Sequence, residues 1–137
     1  MTREKMMSGE NNLQVLLRTA TPRRNEGQYV FCTLQQPAAE LLAQAVVVVQ
    51  EREGTTLVLP QAVAQARDID YDYLAGWITL EVHSSLAAVG LTAAFSTVLA
   101  EEGISCNVVA GYYHDHIFVA WDDTERAIAV IRSLAAR

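Results

Sequence analysis

The chain has 137 residues, of which 51% are apolar and 19% charged, with a formal net charge of −6. That length gives one ordinary domain, or two very small ones sharing a core, and the composition excludes a disordered chain. No Lys or Arg lies between Arg67 and Arg126, where ten acids stand, so that half lacks the cations that hold nucleic-acid phosphates.

Residues 1–12 read as a polar start with no apolar stretch of the secretory type. Apolar runs such as Ala45 to Val49 are far shorter than the roughly 20 residues of a membrane span. A cytoplasmic protein is expected, with Cys32 and Cys106 as reduced thiols in strand-like stretches. Asn12 caps a helix from Leu13 to Arg18, and 21–27 is a loop. Tyr29 to Leu34 is a strand, Ala38 to Gln44 a short helix after Pro37, and Val46 to Arg52 a strand. A Glu53-Gly54 turn leads to strand Thr55 to Leu59. Pro60 opens helix Gln61 to Arg67, and Asp68 to Asp72 is an acidic linker.

The second half has clearer periods. Trp77 to His83 alternates, with Ile78, Leu80 and Val82 on one face and Thr79, Glu81 and His83 on the other. After a turn at 84–90, Leu91 to Glu102 is amphipathic through Leu91, Ala94, Phe95, Val98 and Leu99. Gly103 closes that helix. Ile104 to Ala110 and His116 to Trp121 are strands joined by a turn. Asp122 then caps a helix, with Glu125 three residues on. Ala127, Ile128, Ile131 and Leu134 form the buried stripe.

The second half is therefore β-α-β-β-α, and the first half from Tyr29 reads the same way with a shorter first helix. Such a unit folds as an antiparallel sheet with both helices on one face, the ferredoxin-like arrangement. The expected class is α+β, two βαββα units in tandem, with a boundary between 1–72 and 73–137. The second unit lacks the usual fourth strand. Its open edge must be covered by the N-terminal half or another subunit, and a homo-oligomer joined through a sheet edge or the helix layer is expected.

Two runs carry a family resemblance. Trp77-Ile-Thr-Leu-Glu-Val-His83-Ser84-Ser85-Leu86-Ala87-Ala88-Val89-Gly90-Leu91-Thr92-Ala93 resembles the start of an ACT domain, and so does Gly103-Ile-Ser-Cys-Asn107 continuing through His114-Asp115-His116 to Val119. Together they are similar to a bacterial group of small ACT-domain proteins and to the ACT repeats of aspartate kinases and cytosolic arginine sensors. The N-terminal half resembles the companion, degenerate ACT-like domain of that bacterial group. The resemblance implies a regulatory module rather than an enzyme, binding an amino acid at a domain interface; no cofactor or metal is expected. It places the contacts on the first strand–helix turn, here Ser84, Ser85, Leu86, Val89, Gly90, Leu91 and Thr92. The second strand of a neighbour would add Asn107 and Val108. No catalytic or DNA-binding domain is attached, so the regulated process stays open.

The residues allow this chemistry and blander ones. The N-terminus of the Leu91 helix offers unpaired N–H groups to a carboxylate without any basic side chain. Gly90 either admits a ligand to the backbone or only permits a tight turn. The Asp115 carboxylate either pairs with a ligand ammonium or bonds its own turn. Asn107 either meets a ligand or bonds a neighbouring strand. His114 and His116 lie on one side of a strand, and with His83 or Glu81 they are the one metal candidate. No phosphate loop and no nucleophile–base pair is apparent, so an enzyme is not expected. The other function class left open is a ligand-free oligomerisation module.

Overall fold

The computed structural model describes residues 12–82 and 90–136. The Asn12 side chain accepts from the N–H groups of Gln14 and Val15, at 3.0 and 3.3 Å, and starts α1 (Leu13–Thr19). There follow β1 (Thr21–Arg24), β2 (Tyr29–Leu34), α2 (Ala39–Leu42), β3 (Val47–Gln50), β4 (Thr55–Pro60) and α3 (Gln61–Ala66). The second half holds β5 (Asp72–Glu81), α4 (Leu91–Glu101), β6 (Asn107–Ala110), β7 (Asp115–Ala120) and α5 (Thr124–Arg132). Short 3₁₀ turns, Trp121–Asp123 and Ser133–Ala136, flank α5.

The seven strands among the described residues join one antiparallel sheet in the order β3-β4-β2-β5-β7-β6, with β1 also on β5. β5 carries the architecture. Its first residues pair with β2 (Tyr29↔Ala75, Val30↔Leu74), and its last four pair with β1 (Thr21↔Glu81 to Arg24↔Ile78). Its other side pairs with β7 from Ala75 to Leu80. β1 and β2 thus run end to end along β5. Each of these two long paths supplies the fourth strand of one βαββα unit and the first strand of the other.

The missing fourth strand is therefore inside the chain: β1, from the segment expected to be a loop, fills the edge of β5. That edge gives no reason for a second subunit. Pro22 and two arginines hid the strand, yet β1 is held by specific contacts. Arg23 Nε meets Glu81 at 3.2 Å, Arg24 pairs with Glu125, and the Arg24 guanidinium lies 4.8 Å from the centre of the Trp121 ring.

Every described helix packs on the same face of the sheet. Ile78, Leu80, Val82, Ile117 and Val119 meet Leu16 of α1, Phe95 and Leu99 of α4, and Ile128 and Ile131 of α5. In the first unit, Val30, Cys32, Leu57 and Leu59 meet Leu41 and Ala64. The other face carries a cluster of Tyr29, Val58, Ala75 and Phe118, flanked by Phe31, Val47, Trp77 and Val109. Gly76 sits where α5 docks. A Cβ there would lie 2.0 Å from Thr124 Oγ1, so only glycine lets the start of α5 reach the sheet.

Other boundaries moved. The strand expected from Ile104 begins at Asn107, although Ile104 is buried in the core. The Asp122 cap does not form: residues 121–123 make a 3₁₀ turn, and Thr124 Oγ1 donates to the Trp121 carbonyl at 2.8 Å. Ile69 and Tyr71, inside the expected linker, pack against the first unit's core.

Candidate functional site

α4 begins at Gly90, whose φ of +98° is left-handed, and among the described residues no side chain caps its first turn. Leu91 is buried in the core while Thr92 is exposed. Among the described residues of this turn, the Gly90, Leu91 and Thr92 backbone and the Thr92 side chain are open to a ligand. Ser84, Ser85, Leu86 and Val89 lie outside the described residues, as does His83. Gly90 has a structural reason to be glycine, since a Cβ there would lie 3.2 Å from Leu13 of α1. A shallow groove of about 410 Å³ does open at this point, lined by Leu17, Gly90, Ala93, Thr97 and Leu134 among others. Asp115 does not line it.

Asp115 opens β7 opposite Leu80 of β5 and Ala110 of β6. Its phase with Ile117 and Val119 sets it on the helix face. It stands at the sheet end where β5 leads into the turn before α4. The carboxylate is half-buried and has no hydrogen-bond or ion-pair partner among the described residues. Burial pushes it above its ordinary value of 3.8, against the pull of His116 and His114. Beside it, His114 Nδ1 is buried without a hydrogen-bond partner. Of the two readings of Asp115, the bond to its own turn is not made among the described residues; the Gly111 N–H donates to the His114 carbonyl at 2.9 Å.

The remaining expected residues divide between the faces. Val108 packs half-buried against the helix-side core. Asn107 is on the other face, opposite Phe118, and its Nδ2 donates to the Phe118 carbonyl at 3.3 Å. The structure therefore places Asn107 and Asp115 on opposite faces of the sheet, and Asn107 makes a strand bond.

A polar network stands on that second face. Trp77 Nε1–H donates to His116 Nδ1 at 3.1 Å, and Thr79 Oγ1 lies 3.3 Å from the same nitrogen. Asn25 Nδ2 donates to Thr79 Oγ1 at 2.9 Å. Indole N–H is a donor only, so His116 is neutral with its proton on Nε2. Burial and His114 hold its basicity below the ordinary 6.5, with Arg23 adding to the fall and Asp115 opposing it. Sequence reading missed this network. The available signal was Thr79 and His116 at the polar phase of two strands. Among the described residues no three His, Cys, Asp or Glu gather as a metal set, and no helix is long and apolar enough to cross a membrane.

The ACT-domain family matches residues 8–76 and again residues 74–133, the two matches overlapping within β5. A solved protein of unknown function from Vibrio cholerae, described as a possible transport protein, is 45% identical with a TM-score of 0.81, over 90% of this chain and 95% of that one. A protein from Agrobacterium tumefaciens is 18% identical with a TM-score of 0.66, over 85% and 89% of the two chains. The regulatory subunit of aspartate kinase from Thermus flavus is 10% identical with a TM-score of 0.62, over 83% and 96%. The last two likenesses concern the fold alone. No curated protein matches. ACT domains are regulatory, ligand-binding modules rather than catalytic ones, and this chain, built of two of them, belongs to the ACT-domain family.

Proposed function

We propose that this chain senses an amino acid, holding it between the 84–92 turn and Asp115. One observation carries the reading: a half-buried carboxylate without a described partner stands at the sheet end from which the chain turns into α4. A ligand ammonium satisfies that carboxylate, and the first turn of α4, without a side-chain cap among the described residues, offers N–H groups to the ligand carboxylate. Both poles are met without a basic side chain. The same reading makes the chain a cytoplasmic regulator that self-associates and binds neither nucleic acid nor membrane.

The test is a thermal-shift screen of the twenty amino acids. A ligand at 100 times its dissociation constant adds about 2.7 kcal/mol of stability. Asp115→Asn is expected to weaken the hit by about 1.5–3 kcal/mol, the range for a charge-assisted hydrogen bond. Gly90→Val is not a clean probe, because it collides with Leu13 and strains a left-handed φ. Calorimetry showing equal affinity in the parent and Asp115→Asn overturns the site. A screen with no hit favours a ligand-free assembly module.

A further inference from the structure

The His116 ring, on the second face of β7, is held at two opposite edges. On the β5 side, the Trp77 Nε1–H donates to Nδ1 at 3.1 Å and Thr79 Oγ1 lies 3.3 Å from it. On the other side, the Nε2–Cδ2 edge meets the turn between β6 and β7. A Cβ at Gly111 would lie 3.0 Å from Nε2 and 3.1 Å from Cδ2. The same Cβ would lie 2.7 Å from the His114 carbonyl oxygen, which accepts from the Gly111 N–H at 2.9 Å. The ring therefore abuts the backbone of a turn whose next residue is Asp115.

An indole N–H is a donor only, so the Trp77 bond exists only while Nδ1 carries no proton. A proton there sets two N–H groups against each other across 3.1 Å. The ring must then move off the indole. Because the Nε2–Cδ2 edge lies opposite Nδ1, that movement runs into Gly111. The charged and titratable groups acting on the ring are His114 and Asp115 of the same segment and Arg23 of β1. Glu81 of β5 pairs with Arg23 at 3.2 Å. Trp77, Thr79, Asn25, Val109 and Gly111 around it carry no charge.

We propose that His116 is a positioning residue for the Asp115 pole of the amino-acid site, propping the 111–115 turn when neutral and displacing it, with loss of the ligand, when protonated. This rests on the amino-acid reading above for what the turn serves. A second effect has the same sign, since an imidazolium beside Asp115 repels the ligand ammonium. By reciprocity, the bound ligand favours the neutral ring. Burial first, then His114 and Arg23, hold the ring's basicity below 6.5, so the loss belongs to the range below that pH. Where only the neutral form binds, affinity falls about tenfold for each pH unit below the folded value.

The device can be tested without a ligand. Nuclear magnetic resonance of the full chain from about pH 8 to pH 4 follows the Trp77 indole N–H, the His116 ring and the Gly111 Hα. The contact between His116 Hδ2 and Gly111 Hα is expected to fade with one midpoint, below pH 6.5, shared with the ring and the indole. His116→Gln is expected to keep the fold and leave the indole unmoved. Trp77→Phe removes the opposing donor, so it is expected to raise the midpoint and preserve the contact through it. The screen of the twenty amino acids, repeated one pH unit below the midpoint, is expected to show a hit weakened about tenfold in the parent. His116→Gln should keep only the loss from the carboxyl of Asp115. A contact that persists with His116 protonated, one that fades equally in Trp77→Phe, or an equal loss in parent and His116→Gln overturns this role and leaves the amino-acid reading standing. A screen without a hit at neutral pH overturns that reading and this role together.

Discussion

Gly76 and His116 show how single residues hold the two units together. A methyl group at Gly76 would collide with Thr124, which is itself almost fully buried. Gly76→Ala should destabilise by about 1–3 kcal/mol, the range for overpacking. Adding Thr124→Ala, which removes the nearest atoms, should recover part of that loss; urea denaturation of the three proteins checks both statements. His116 makes a pH prediction. Its folded basicity is depressed, so its contribution to stability is present above pH 6.5 and is lost as pH falls through the folded value. Protonation puts a hydrogen on Nδ1, where the Trp77 indole already donates. The raised carboxyl of Asp115 acts in the opposite sense, contributing stability below pH 3.8 that fades as pH rises through its folded value. The comparison of parent with His116→Gln isolates the histidine: only the parent should lose stability to acid from this source, seen as a pH-dependent gap between their urea midpoints. The presence of Gly76 in a strand was legible in the sequence, but its reason was not, because Thr124 is 48 positions away. Asp115 was legible as a candidate because an acid at a strand end is a local feature. The opposite placement of Asn107 needed the phase of β6, and the expected strand start at Ile104 obscured where regular pairing begins.

At the scale of elements, local pattern served where a helix or strand has its own period. The apolar stripes of α4 and α5 and the alternation of β5 are such cases, as is the left-handed close of α4 at Gly103, with φ of +72°. β1 has no period to read. Four residues with one proline become a strand because β5 offers them a partner and because Glu81, Glu125 and Trp121 receive two arginines. The acidic stretch before β5 misled for the converse reason, since its charges point away while Ile69 and Tyr71 pack inward. The α1–β1 segment should therefore behave as core rather than as an appendage. Leu16 of α1 is completely buried among Ile78, Phe95 and their neighbours. Leu16→Ala should cost about 2–5 kcal/mol, as for a large-to-small change in a well-packed core. A chain starting at Asn25 should lose cooperative thermal unfolding, because it bares both that site and the edge of β5. A truncated chain that melts as sharply as the parent would show that β1 is dispensable.

Across the whole molecule, the second ACT unit is built in a permuted order: its first strand, two helices and two further strands come last in the chain, and its fourth strand comes first. The ends of that unit meet in space, since Leu13, Leu16 and Leu17 of α1 share a core with Leu134 of the final 3₁₀ turn. The two units could exchange strands this way only if β1 and β2 are continuous along β5, and the break between them is short, with Gly27 at a φ of +95°. The link is held on both flanks, by Asn25 N–H to the Trp77 carbonyl at 2.9 Å and by Gln61 N–H to the Gln28 carbonyl at 2.8 Å. Tandem order in sequence is thus a separate matter from pairing order in the sheet. Circular permutation tests this pairing directly. Arg137 is joined to Met1, so that residues 1–11 serve as the connection, and the chain is opened between Glu26 and Gly27. The new order runs as two uninterrupted βαββαβ units, the first strand of each leading to its own fourth. Such a chain should fold with the same circular dichroism as the parent. Its urea midpoint should stay close to the parent's, because a connection of this length adds only a slowly growing closure entropy and no described strand or helix is cut. A permutant that is molten would show that β1 must be covalently continuous with β2 and would refute the permuted-unit description.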